Sequence, residues 1–253
     1  MQTDPSVEDE SPAAMPYIGC AGWNVPNAVA ACFPAQGSHL ERYASVLSAV
    51  EINTSFYRPH RSETYVRWRD SVPESFRFAV KMPRTITHHL RLKNVDDALQ
   101  RFLAEAGNLQ EKLGCLLVQL PPSLHYDAAT AERFFDVLRA GTTAPVACEP
   151  RHVTWFGAEA SALLARWQIA RVIADPSIVE NAQPATYEKI VYVRLHGSPV
   201  IYRSAYSGDY LDALAGSLAV HMRLGRTVWC IFDNTAEGAA VPNALSLAAR
   251  FNA

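Results

Sequence analysis

A chain of 253 residues with 49% hydrophobic side chains carries enough apolar material for one large core. Its formal net charge of −2 gives no general attraction to nucleic acid or to an anionic membrane surface. No apolar run approaches the roughly 20 residues that a bilayer-spanning helix needs.

The first fifteen residues, Met1 to Met15, are acidic, polar and interrupted by proline, with no apolar centre. They read as a disordered acidic tail rather than a secretory signal, ahead of one domain over residues 16–253. Eight short apolar runs then recur. Tyr17–Trp23 is followed by a long loop, Asn24–Ser38, and a helical pattern at His39–Ser48. Ala49–Phe56 precedes helical Ser62–Asp70, and Arg77–Pro83 precedes Asn94–Leu113. Gly114–Pro121 leads to Asp127–Ala140, and Ala144–Arg151 to Thr154–Trp167. Ala170–Asp175 has no clear helix after it. Ile190–Gly197 precedes Asp209–Leu224, and Thr227–Asn234 precedes Pro242–Phe251. Asn94 and Asp127 stand where helix N-caps are expected, and Pro242 fits the N1 position.

Strand and helix in alternation predict parallel strands with crossover helices. Eight units in this length predict an α/β fold, a (β/α)8 TIM-type barrel, with the helix after the sixth strand reduced or missing. Chemistry in that architecture gathers at the C-terminal ends of the strands. Four of the five cysteines (Cys20, Cys115, Cys148 and Cys230) fall inside predicted strands, and no C-x-x-C pair exists. They read as small buried hydrophobes, which argues against a disulfide framework or a zinc cluster and for the cytoplasm.

Period-two alternation sorts the strand residues by face. Glu51 and Asn53 share one face of the second strand, and Ala79 and Lys81 share one of the third. Gln119, the pair Glu149 and Arg151, and the pair Arg194 and His196 do the same in the fourth, fifth and seventh. Asp175 and Asp233 close the sixth and eighth. The opposite faces are apolar and should meet the helices, so the polar faces should point into the barrel. A charged side chain there needs a partner, because burying an unpaired charge costs several kcal/mol or more. The set reads either as a salt-bridge network filling the barrel or as a ligand site. Lys81 could bind an anion, form a Schiff base or act as a base. Glu149 and Glu51 are candidate proton-transfer groups, with His196 as a shuttle. Arg151 and Arg194 suit bidentate recognition of carboxylate or phosphate. Trp23, Phe56, Tyr57, Trp155, Tyr202 and Tyr206 could line a pocket or simply pack. Glu149, Asp175, His196 and Asp233 could hold a divalent ion. No compact ligand motif accompanies them, however, and Lys81, Arg151 and Arg194 would repel a cation, so no metal ligand is assigned. Phosphate-loop, dinucleotide and nucleophile-elbow motifs are absent.

Several motifs together resemble the domain-of-unknown-function family number 72, also called YecE-like. They are Gly19-Cys20-Ala21-Gly22-Trp23, Val50-Glu51-Ile52-Asn53-Thr54-Ser55-Phe56-Tyr57, Lys81 with Ile86-Thr87-His88, Gln119-Leu120-Pro121-Pro122, Glu149 with Arg151-His152, and Arg194-Leu195-His196-Gly197. The resemblance runs from about Tyr17 to Ala244. It implies a TIM-type barrel and no settled activity. It adds Tyr57, His88 and His152 to Glu51, Asn53, Lys81, Gln119, Glu149, Arg151, Arg194 and His196 as signature polar residues. The last strand departs from the family's Phe-Asn-Asn by reading Phe232-Asp233-Asn234.

The leading expectation is an enzyme of hydrolase, lyase or isomerase type acting on a small polar, anionic substrate. Lys81, Glu149, His196 and Glu51 would be catalytic. Asn53, Tyr57, His88, Gln119, Arg151, His152, Arg194, Asp233 and Trp23 would bind substrate. A second expectation is metal-dependent phosphodiester or nucleic-acid processing, with Arg58, Arg61, Arg84, Arg91 and Lys93 as a basic rim. A third is a non-catalytic binding protein. Cofactor and oligomeric state stay open.

Overall fold

The computed structural model describes residues 15–179 and 189–252. Nine parallel strands form one sheet in the order β6-β5-β4-β3-β2-β1-β9-β8-β7. They are β1 (Tyr17–Cys20), β2 (Ala49–Ile52), β3 (Arg77–Lys81), β4 (Leu113–Gln119), β5 (Val146–Glu149), β6 (Ile169–Arg171), β7 (Ile173–Asp175), β8 (Ile190–Leu195) and β9 (Thr227–Phe232). β6 pairs with β5 and β7 pairs with β8, so the two are halves of the expected sixth strand, parted at Val172. The Val172 N–H still donates to Cys148 at 2.8 Å. The sheet thus curls into a nearly closed α/β barrel of (β/α)8 type. The expected loss of a helix after the sixth strand falls on residues 180–188, outside the described residues. The expected N-terminal tail lies outside them too, save for Met15.

Seven helices surround the barrel among the described residues: α1 (His39–Ala44), α2 (Ser62–Asp70), α3 (Asp96–Ala106), α4 (Ala128–Gly141), α5 (Ala158–Arg166), α6 (Gly208–Arg223) and α7 (Ala240–Ala249). Local chemistry sets their ends. Ser38 and Glu41 form a reciprocal capping box on α1. The Asp127 carboxylate accepts the Thr130 N–H at 2.9 Å and starts α4 as expected. Asn94 does not cap α3, because its φ of +51° is left-handed where an N-cap is extended. The long Asn94–Leu113 pattern also stops early. The Asn108 amide bonds back to the carbonyls of Ala104 and Glu105, and the chain tightens into a 3₁₀ segment at Gly107–Lys112. Thr154–Trp167 likewise divides at Gly157 into a 3₁₀ turn, Val153–Phe156, and α5. α7 begins at Ala240, so Pro242 is its third residue rather than the expected first, still within the turn where a missing N–H is harmless.

The two strand faces separate as alternation predicts. Val50, Ile52, Val80, Val118, Val193 and Phe232 belong to the core between barrel and helices. Ala49, Ala79, Leu117, Ala147, Tyr192, Trp229 and Ile231 pack as a second, inner cluster. Small residues there let the strands approach. A Cβ at Gly19 would lie 1.9 Å from the Ala49 carbonyl oxygen, and one at Gly114 would lie 2.4 Å from the Trp229 ring. The inner cluster is a filled plug, and polar side chains begin above it, at the C-terminal ends.

Candidate active site at the barrel mouth

Arg194 anchors the polar layer. Its guanidinium is fully buried and bridges three strands from β8. It donates to both oxygens of Glu51 on β2 (Nε–Oε2 3.0 Å, Nη2–Oε1 2.6 Å). It also donates to Glu149 Oε2 on β5 at 2.7 Å and to Asp233 Oδ2, just past β9, at 3.1 Å. Tyr192 completes the shell of Glu51 by donating its hydroxyl at 3.0 Å. Tyr192 was not among the expected site residues. Its signal was present in Tyr192-Val193-Arg194-Leu195-His196, where it shares the inward face with Arg194 and His196.

His196 lies one layer higher, between two carboxylates. Nε2 is 2.8 Å from Glu149 Oε1 and Nδ1 is 3.0 Å from Asp233 Oδ2. Each contact needs a proton. Burial opposes charge on the ring, but its hydrogen bonds to the Asp233 and Glu149 carboxylates outweigh it and raise the His196 pKa. Burial would raise the Glu149 carboxyl; Arg194, His196 and Arg151 together overcome that and hold it well below the usual range. Asp233 follows the same logic, with burial opposed by Arg194 and His196, and its pKa is lowered. The consistent state is an imidazolium between two carboxylates. Arg151 Nη2 closes the layer, 2.7 Å from Glu149 Oε1 and 2.9 Å from His196 Nε2. With Nε2 protonated, the guanidinium hydrogen bond goes to Glu149. Gln119 donates to Glu149 Oε2 at 3.1 Å.

Exposure divides the site into floor and face. Glu51 and Arg194 are 0% exposed and Glu149 and His196 are 1%. Lys81 at 6%, Asp233 at 6%, half-buried Gln119 and the Arg151 side chain at 20% form the face toward solvent. Lys81 is distinctive. Its ammonium sits 4.3 Å from the centre of the Phe56 ring and has no hydrogen-bond acceptor or ion-pair partner among the described residues. Burial and then the charge of Arg194 pull its pKa below the ordinary 10.5, against Glu51, Asp233 and Glu149, which support the charged form. The Arg151 Nε is buried and unpartnered as well.

The remaining expected residues stand around this face. The His88 ring meets Phe56 edge-on at 4.9 Å, and its pKa is lowered by burial and then by Lys81. Tyr57 is 66% exposed at the rim, with Arg84 5.9 Å from its ring. His152 lies apart from the network. It caps the 3₁₀ turn through Thr154 and packs on His125 at 3.8 Å. Trp155 and Tyr206 are buried packing residues, the first donating to Leu124 and the second to Asp175. Asp175, expected at the mouth, points away from it. Ala174 takes the inward register opposite Arg194, which sends Asp175 outward to the Tyr206 hydroxyl at 2.9 Å. Asn53 and Trp23 line a neighbouring cavity of about 660 Å³ at the ends of β1, β2 and β9. The Asn53 Oδ1 is buried without a partner. Among the described residues, no group of three His, Cys, Asp or Glu side chains is placed to hold a metal ion. The site's own carboxylates are turned onto guanidinium and imidazolium groups.

Fold and site define a TIM-type barrel protein with a buried ion network under a cationic mouth. Residues 17–253 match the family model described as "Protein of unknown function DUF72", and the chain belongs to that family. It is similar to the UPF0759 protein YecE of Escherichia coli K12, 32% identical over 176 residues. That match covers 67% of this chain and only 62% of the relative's length. The UPF0759 protein YunF of Bacillus subtilis is 26% identical over 259 residues, covering 90% of this chain and 92% of the relative. Among solved structures, a DUF72 family protein of Enterococcus faecalis superposes with a TM-score of 0.81 at 21% identity, covering 94% of this chain and 96% of that one. One from Thermotoga maritima gives 0.79 at 23% identity, covering 95% and 100%. These structures support the fold. No helix among the described residues is long and apolar enough to cross a membrane.

Proposed function

We propose that the protein is an enzyme of acid–base chemistry on a small anionic substrate. The observation that carries this reading is Lys81. It is a nearly buried amine with no acceptor, poised beside a fixed imidazolium–carboxylate relay. A lysine placed only for stability would pair with one of the three carboxylates nearby, since an unpaired buried charge is costly. Left unpaired, its neutral form becomes accessible and it can take a proton or attack a carbonyl carbon. Arg151 receives the anionic group, because it stays charged and has donors left over. Asp233, His196 and Glu149 hold a proton close by and keep Arg151 aimed. Glu51 and Arg194 act from beneath, by fixing the relay's position rather than by touching substrate.

The test is a turnover screen with small carboxylates and phosphates, sugar acids included. A substrate consumed by the wild type and left intact by folded Lys81→Met and Glu149→Gln variants supports the reading. Turnover that survives Lys81→Met contradicts it. A second reading rests on Arg58, Arg61, Arg84 and Lys93, exposed loop residues with no carboxylate partner among the described residues. They would serve a phosphodiester polymer, and that reading predicts oligonucleotide affinity that falls steeply with salt.

A further inference from the structure

The charged mouth leaves one adjoining feature without a role. The cavity of about 660 Å³ opens where the network's own strands end. Asn53 stands two residues beyond Glu51 and Thr235 two beyond Asp233, a step of roughly 6.6 Å along an extended chain. Ala21 belongs to the inner face of the barrel and lines the same cavity. The cavity therefore adjoins the β2 and β9 ends of the ion network.

The lining has a definite chemistry. Among the described residues, no acid, lysine or arginine lines it, and His39 is its one basic side chain. Trp23 supplies an aromatic wall, steadied edge-on by Trp68 at 5.1 Å. Asn24, Asn53, Thr54 and Thr235 supply neutral hydrogen-bonding groups. The Asn53 amide makes no hydrogen bond among the described residues, and its Oδ1 is shut off from solvent. A buried amide oxygen without a donor costs about 1–3 kcal/mol. Turning the Asn53 side chain toward the cavity would let a ligand hydroxyl remove that cost. An aromatic wall facing neutral donors and acceptors matches a ring with one apolar face and an edge of hydroxyls.

We infer that this cavity is a subsite for an uncharged, hydroxyl-bearing ring of pyranoside type. The substrate class is then a sugar or glycoside carrying a carboxylate or phosphate, with the anion at Arg151 beside Lys81 and the ring against Trp23. The anionic half of that description rests on the proposed function; the ring subsite stands on the cavity alone.

Saturation-transfer NMR separates the two. The probes are methyl pyranosides of glucose, galactose, mannose and N-acetylglucosamine, with glucuronate and glucose 6-phosphate as charged counterparts. Thr235→Trp is chosen to place a bulky ring at the cavity from an exposed turn position whose native side chain makes no bond to the ion network among the described residues. At least one neutral methyl pyranoside should bind the wild type saturably. It should lose tenfold or more in affinity in Thr235→Trp and keep its affinity in Lys81→Met. A charged counterpart should weaken in both variants. The subsite is overturned if no methyl pyranoside binds the wild type, or if Thr235→Trp binds as the wild type does. Neutral pyranosides that bind while turnover survives Lys81→Met would remove the acid–base reading and leave the subsite standing.

Discussion

Lys81 has three carboxylates in its electrostatic surroundings and bonds to none of them. Replacement by methionine keeps the stem's packing on Phe56 and removes the amine. We expect turnover to fall by about 10²–10⁴, the usual contribution of a proton-transfer group, with the thermal melt near the wild-type value. His196 makes a different prediction, for stability against pH. Its folded pKa is raised, so its contribution is complete below the ordinary 6.5 and is lost as pH climbs from there through the raised value. Glu149 and Asp233 are lowered, so theirs is complete above 4.5 and 3.8 and fades as pH falls below. A plot of melting temperature against pH should therefore be highest at about pH 5–6.5. Asp233→Asn, which restores the Asn expected from the family resemblance, removes one of the two carboxylates that hold the His196 charge. The alkaline decline should then be smaller and end at lower pH. An unmoved decline would show that His196 is not the titrating group.

At the scale of elements, strand contact depends on missing side chains. Gly19 lets β1 lie against the Ala49 carbonyl of β2, and no rotamer change can relieve a Cβ that would meet backbone at 1.9 Å. Gly19→Ala should cost about 1–3 kcal/mol or more in denaturant unfolding, whereas Gly107→Ala, which meets nothing, should cost little. The elements themselves were legible because period-two alternation separates inner from outer faces wherever a strand is buried on both sides. The inward set Glu51, Lys81, Gln119, Glu149, Arg151, Arg194 and His196 follows from that rule. Asp175 escaped it, since the strand's inward register falls on Ala174 and a terminal residue gives alternation little to count. Helix ends were less legible. Asn94 looks like a cap in sequence, yet its left-handed φ comes from the loop it closes. His152 enters the candidate set through the family resemblance, and its capping of the turn through Thr154 depends on loop geometry that alternation does not predict.

For the whole molecule, Arg194 is a tie across the barrel. From β8 it reaches carboxylates at the ends of β2, β5 and β9, strands far apart in sequence. Removing it strands three buried acids. Arg194→Met should destabilise by about 3–5 kcal/mol at neutral pH, and the loss should shrink in mild acid as the carboxyls protonate. A loss independent of pH would assign the effect to packing instead. The same tie explains how charge can sit directly above an otherwise apolar plug. It holds Glu149, His196 and Asp233 rigid beneath a face where Lys81 is the one lysine. Only four lysines occur in the chain: Lys81, Lys93, Lys112 and Lys189.

That small number makes the central claim directly measurable. ¹³C-labelled lysine gives four Cε resonances, and Lys81→Arg identifies which belongs to position 81. This resonance should titrate with a midpoint below 10.5 and shift when a small anion such as sulfate occupies Arg151. A midpoint at or above 10.5, unmoved by anions, would show Lys81 to be an ordinary paired ammonium and would contradict the proposed site.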